Sequence, residues 1–464
     1  MRIPSKMVGF YEQLDQVDDS GQLSSLLRSY AVVKFSNEIQ PVSSKQVLQD
    51  LLTLAFQLVK GIFWSSKKIH FQADLPIFTF MSKRPHLYKM NDLLAHEYKE
   101  ECNRVFFYKP EDLTQEKGFV LAGLPHKIFG TEVRNNWKSI RKARKLFKVY
   151  LKAEGLSLHH RIPFWVHTIR QYAALGSYKD LFRRLKFPFV VCEYDQYNQV
   201  AAFMMAAREF GIPTYTQVHG LLNTHFAYTP LIANKVFAWG NYHKRLLESW
   251  GVPENHILIS GATQYHPYPD IEREERQRIL KALNLEEQVM VVATNPMKEE
   301  IRAALIEFVL ELAAELPSDW SVIIRPHPSE SLAFYEAPVK GKSNIQVMNN
   351  AKLSMANLMQ IANTALVWNS AFGIDTMVNR IQTFQMKLHF PDDGEVSRLV
   401  EQGLIPAFKR PSDLIRLISS KPEVAEGHST KISSKEFENF RKEYCANFGA
   451  LAAQKMLQLI KENK

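Results

Sequence analysis

Short apolar runs bounded by turn residues alternate with longer stretches of helical period along most of this chain. Pro76 to Phe80, Arg104 to Tyr108 and Gly118 to Ala122 are aromatic or β-branched runs, and 134–152 and 163–183 carry helical patterns. Phe187 to Cys192 reads as a buried strand, with Glu193, Tyr194 and Asp195 directly behind it. A helical pattern over Val200 to Phe210, the turn Gly211-Ile-Pro213 and the run Thr214 to Val218 complete a strand–helix–strand unit ending in His219-Gly220. Its crossover is expected to be right-handed and its strands parallel. Val236 to Trp239, a helix over Asn241 to Trp250 and a run closing at Gly261 repeat the theme.

The second half follows the same rhythm. A charged helix spans Ile271 to Leu283, and Val289 to Ala293 is a strand ending in Thr294-Asn295, with a helix from Lys298. Ser321 to Arg325 stops at two prolines in Arg325-Pro-His-Pro328, because proline cannot continue a ladder. Ile345 to Met348, a helix over Ser354 to Ile361, and Ala365 to Trp368 ending in Asn369-Ser370 come next. The strand Gln382 to Met386, two short helices at Val396 to Gln402 and Ser412 to Ile418, and one long helix from Glu436 to Lys461 complete the pattern.

Such alternation predicts an α/β protein with two Rossmann-like domains whose parallel sheets face a cleft. The expected divisions are a helical segment over 1–75, a first domain over 76–268, a second over 269–433, and a C-terminal helix over 434–464 that returns to the first domain. In the first segment, Val47 to Phe63 lines one side of a helix and ends beside Trp64, Lys67 and Lys68. Cover for the sheet and adsorption to a membrane surface both fit it.

A length of 464 residues suits two domains, and 46% hydrophobic residues suit an ordinary globular chain. The longest apolar candidate, Leu51 to Trp64, is interrupted by Gln57, Lys60 and Gly61, so no membrane span is expected. The first residues lack the order of a secretory signal, and Cys102, Cys192 and Cys445 match no metal spacing; a cytoplasmic location, peripheral on the inner membrane face, is expected. The net charge of +10 favours an anionic partner. Lys138, Arg141, Lys142, Arg144, Lys145 and Lys148 crowd one helix, and Arg183, Arg184 and Lys186 precede a strand. A solvated helix face explains the cluster equally well. No finger, RNP-like strand or compact helix-turn-helix pattern supports nucleic acid.

Candidate chemistry gathers at strand ends, where open α/β sheets bind ligands. Glu193, Asp195 and His219 belong to two consecutive parallel strands, and an acid beside an imidazole can orient it as a base. Either acid could instead cap the following helix. Thr294, Asn295, Arg325, His327, Asn369 and Ser370 sit on three further tips at one edge, with Asp375 in the first turn of the helix behind. Hydroxyls, amides, a guanidinium and helix N-termini suit phosphate, and Gly373 permits close backbone approach. A stiff turn at Arg325 to Pro328 and a capping role for Ser370 are the plainer alternatives. No DxD-like acid pair for a metal is evident.

The motifs Gln217-Val-His-Gly220, Tyr228-Thr-Pro-Leu231, Ala238-Trp-Gly240, Gly251-Val-Pro253, Arg325-Pro-His-Pro328 and Asn369-Ser370 resemble the GT-B glycosyltransferases of bacterial surface-polysaccharide (capsule and lipopolysaccharide) assembly. The resemblance is to the group like CDP-glycerol glycerophosphotransferases and polysialyltransferases, and covers about 187 to 420. It implies an inverting, metal-independent glycosyltransferase without a cofactor. A nucleotide sugar, CMP-linked in preference to UDP-linked, would be co-substrate, and a glycan or lipid-linked glycan the acceptor. Carried over, Thr294, Asn295, Arg325, His327, Asn369, Ser370 and Asp375 would hold the donor, while His219, Glu193 or Asp195 would deprotonate the acceptor. The chain departs from the pattern at Gly261-Ala-Thr-Gln-Tyr-His266, where relatives often carry Gly-x-x-x-x-Asp. A glycerophosphotransferase, a nucleotide-sugar 2-epimerase and a non-catalytic scaffold of an assembly complex are the alternatives.

Overall fold

The computed structural model describes residues 71–80, 85–107, 119–120, 130–153, 161–196, 198–218, 220, 222, 228–390, 395–419 and 432–463, with scattered residues before 71. Trp64, Lys67, Lys68 and most of the 1–75 segment lie outside them. The chain forms two compact units: Met1–Gln264 with Ala450–Lys464, and Tyr265–Gly449.

The first unit is built on β1 (Ile77–Phe80), β2 (Asn103–Phe106), β3 (Phe119–Val120), β4 (Val190–Cys192), β5 (Thr214–Gln217), β6 (Lys235–Ala238) and β7 (Ile257–Ile259). They form one sheet in the order β3-β2-β1-β4-β5-β6-β7, with every pair parallel. A parallel sheet needs cover on both faces, which is why β1, β4 and β5 are buried along their whole length, the polar Thr79, Thr214, Thr216 and Gln217 included. Phe78, Phe80, Phe189, Val191, Tyr215 and Phe237 meet Leu94 of the helix Pro85–Tyr98 and Ala453, Met456, Leu457 and Ile460 of the helix Gly449–Glu462. Phe203 of the helix Asn198–Glu209 packs edge-on against Tyr178 and Phe182 of the helix Arg161–Phe182.

The second unit holds β8 (Gln288–Ala293), β9 (Trp320–Arg325), β10 (Ile345–Val347), β11 (Thr364–Val367), β12 (Gln382–Met386) and β13 (Ala407–Phe408). Their order is β10-β9-β8-β11-β12-β13, again all parallel. The winding reverses between β8 and β11, and in the first unit between β1 and β4. Such a switch point opens a crevice at the carboxyl ends of its two strands.

One expectation fails. The single helix from Glu436 to Lys461 is two, Ser434–Glu443 and Gly449–Glu462. The break follows from two packing tasks. Phe437 and Phe440 stack with Tyr444 and Phe448 in the second unit, whereas Ala453 to Ile460 face the first unit's sheet. Gly449 makes the turn at φ +50, and a Cβ there would lie 3.1 Å from His266 Nδ1. No helix among the described residues is long and apolar enough to cross a membrane.

Candidate active site

In the first unit, β4 runs straight into Glu193 and Asp195, both buried. Cys192 pairs with Thr216, so β4 and β5 deliver their tips level with each other. Asp195 Oδ2 accepts the backbone N–H groups of Ile232 (2.9 Å) and Ala233 (2.8 Å), and Gln196 donates to the Pro230 carbonyl (2.6 Å). The two side chains pin the segment that follows the cis Thr229–Pro230 bond. Burial pushes the Asp195 carboxyl up to about 6 against those two donors. Its Oδ1 has no hydrogen-bond partner among the described residues. His219 lies outside the described residues; Gly220 behind it is partly buried.

In the second unit, the tips of β9, β8 and β11 are neighbours, since Ala293 pairs with both Arg325 and Val367. Thr294 ties the three together. Its hydroxyl donates to Glu330 Oε2 (2.5 Å) and accepts from His327 N–H (3.1 Å), its N–H donates to the Arg325 carbonyl (3.1 Å), and its carbonyl accepts from Ser370 Oγ (3.4 Å). A threonine suits this hub because one hydroxyl both donates and accepts.

Glu330 escaped the sequence reading although it belongs to the same loop. Its carboxylate, almost wholly buried, also accepts from Tyr335 OH (2.9 Å) and lies 3.7 Å from Arg302 Nε. Burial and the neighbouring carboxylate push the Tyr335 phenol up to about 12. An acid just beyond a proline-stopped strand was the available signal.

Arg325 points inward. Its guanidinium, 6% exposed as a residue, donates to the carbonyls of Met348 (3.2 Å) and Leu353 (2.8 Å) and to Asn350 Oδ1, and burial lowers its pKa. It clamps the loop behind β10. His327 is exposed, and its Nδ1 accepts the Ser329 N–H (3.1 Å). An Nδ1 that accepts leaves the neutral ring's proton on Nε2, which becomes a donor.

Asn369 is partly exposed, while Ser370 is buried and accepts weakly from Phe372 N–H (3.4 Å). Asn295 Oδ1 is buried and has no partner among the described residues. Desolvation raises Asp375 to about 7, and Tyr268, whose own pKa is raised, feels its charge. Gly373 makes room for protein: a Cβ would meet Val367 Cγ2 at 3.3 Å. The helix after Asn295, Glu299–Glu315, already carries Glu299 and Glu300 in its first turn, and these complement its dipole.

No protein-family model matches the chain, and no curated protein sequence does. Solved structures do. A glycosyltransferase from Rickettsia africae superposes with a TM-score of 0.51 at 12% identity, over 84% of this chain and 99% of that one. Anabaena HepE in complex with UDP gives 0.50 at 11% identity, over 84% and 100%. The MnaA–UDP structure from S. aureus gives 0.50 at 10%, over 84% and 96%. The fold is therefore α/β of the GT-B type, two Rossmann-like units each carrying a parallel sheet.

Proposed function

We propose that the chain is an inverting, metal-independent glycosyltransferase that moves a sugar from a nucleotide donor to a bacterial surface glycan. The observation that carries this is the convergence of three strand tips at the β8/β11 switch point, tied by Thr294, with His327 and Asn369 accessible and Asn295 Oδ1 lacking a partner among the described residues. An exposed imidazole donor beside amides suits a phosphate and its attached groups. Asp375 suits a ribose hydroxyl. Arg325 acts here as a positioning residue for the loop behind β10, and Ser370 as a tie between tips.

In the transfer, the acceptor oxygen bonds to the anomeric carbon as that carbon's bond to the donor phosphate breaks. The electron pair leaves with the nucleotide, and His327 Nε2–H meets the growing phosphate charge. The acceptor proton passes to a general base, for which the motif resemblance offers His219, Glu193 and Asp195. Asp195 Oδ2 already holds two backbone N–H groups, which favours His219 or Glu193 over Asp195 as that base. General-base help of this kind contributes about 10²–10⁴-fold.

The motif resemblance supports a CMP-linked donor, and the UDP bound to two fold neighbours makes UDP the comparison nucleotide. Calorimetric titration with CMP, CDP and UDP tests the proposal. One nucleotide binds the wild type, and His327→Ala weakens it about tenfold or more, or ~1.4 kcal/mol, with an unchanged unfolding midpoint. Binding by none of the three sinks the enzyme reading and favours a scaffold. Equal affinity in His327→Ala removes His327 from the donor site.

A further inference from the structure

The helix Trp137–Ala153 carries seven cations, Lys138, Arg141, Lys142, Arg144, Lys145, Lys148 and Lys152, and no acid. At about 100° per residue all seven fall on one arc, opposite the buried arc of Ile140, Ala143, Phe147 and Leu151. Six of the seven are exposed, and Lys148 is half-buried. Among the described residues none of the seven is in an ion pair. That separates this helix from the surface elsewhere, where Arg183, Lys244, Arg278, Arg410 and Arg441 each meet a carboxylate. Arg144 instead lies over the Trp165 ring at 5.5 Å.

A solvated face would ordinarily intersperse both signs, as the helices Arg273–Ala282 and Ser434–Glu443 do. Seven like charges along about 25 Å of helix repel one another unless an anionic surface neutralises them. Two apolar side chains stand among them, Trp137 at 40% exposure and Val149 at 64%. A dissolved acidic polymer could stack on the tryptophan but gives the isolated valine no apolar phase to enter. A bilayer does, because tryptophan sits at the headgroup level and an aliphatic group can enter below it.

We propose that the outer face of Trp137–Ala153 docks on an anionic phospholipid bilayer by adsorption, with its buried face still packed on the first unit. This holds whether or not the chain transfers a sugar. Each surface cation strengthens attraction to anionic headgroups about fivefold, and the field decays within about 8 Å at physiological salt.

The test is co-sedimentation of the intact chain with vesicles of phosphatidylcholine alone or with about one-third phosphatidylserine, at low and high salt. The expected result is binding to the anionic vesicles only, lost as salt rises. The variant Lys138→Gln/Arg141→Gln/Lys142→Gln/Lys145→Gln loses about 10²–10³-fold at low salt while its circular dichroism and unfolding midpoint are retained. A control removing the same charge elsewhere, Arg278→Gln/Lys352→Gln/Arg410→Gln/Arg416→Gln, keeps most of the binding. Three results overturn the proposal: no binding of wild type to anionic vesicles at low salt, equal loss in the two quadruple variants, or retention on heparin without vesicle binding. The last would give the face to an acidic polymer.

Discussion

Asp195 and Arg325 end strands β4 and β9 with opposite charges and do the same job. Asp195 takes two backbone N–H groups from the segment 232–233, and Arg325 gives its donors to the carbonyls of Met348 and Leu353. Both are buried, and both hold a loop that arrives from a neighbouring strand. At a parallel sheet's carboxyl edge, the main chain of such loops has no ladder to join, so a charged strand-end residue satisfies it first. The edges differ in what remains. The first unit's described tip is closed around its acids, whereas the second leaves His327 and Asn369 accessible.

The largest test of that parallel is Arg325→Met. The side chain keeps its bulk but loses three donated hydrogen bonds, leaving two loop carbonyls without a charged partner. A loss of about 3 kcal/mol in urea unfolding is expected. Unchanged stability together with lost nucleotide affinity would show the guanidinium serving a ligand.

Asp195 sharpens the comparison through pH. Its folded pKa of about 6 lies above the ordinary 3.8, so the folded state binds more protons than the unfolded one between roughly pH 4 and 6. Stability from this group is therefore highest below that window and falls as pH rises through it, by about 3 kcal/mol in all. Asp195→Asn cannot titrate. Its stability relative to wild type should improve by about that amount between pH 4 and pH 7. A difference independent of pH would mean that the carboxyl is not desolvated as its burial implies.

All strands except the two-residue β13, which the sequence reading did not include, were readable because their signal is local: a short run of strand-forming residues, then proline or polar tips, as in Ser321 to Arg325. So was the convergence of Thr294, Arg325 and Ser370 on one edge, since parallel order places those tips together. The direction of Arg325 was not, because its partners come 23 to 28 residues later in sequence. Asp195 depends likewise on residues 37 and 38 positions away. Glu330 went unassigned because its meaning rests on Thr294, 36 positions before it. The break before Gly449 was missed because a helical period continues through Phe437, Phe440 and Tyr444 and hides the change of partner.

Thr294 gives the smallest expected change in stability and the sharpest functional one. Thr294→Val preserves shape but removes the donor to Glu330 and the acceptor for His327 N–H. Glu330 keeps Tyr335 and Arg302, so the charge stays partly satisfied, and a stability loss of about 1–2 kcal/mol is expected. The His327 tip is meanwhile released from the β8 tip. Nucleotide affinity should fall by about tenfold or more even though Thr294, 3% exposed, offers a ligand almost no surface. Thr294→Ser keeps both hydrogen bonds and should restore affinity, at the cost of one buried methyl. If valine and serine variants bind nucleotide alike, the three tips are aligned by strand register alone, and the hub hydroxyl is no more than a local staple.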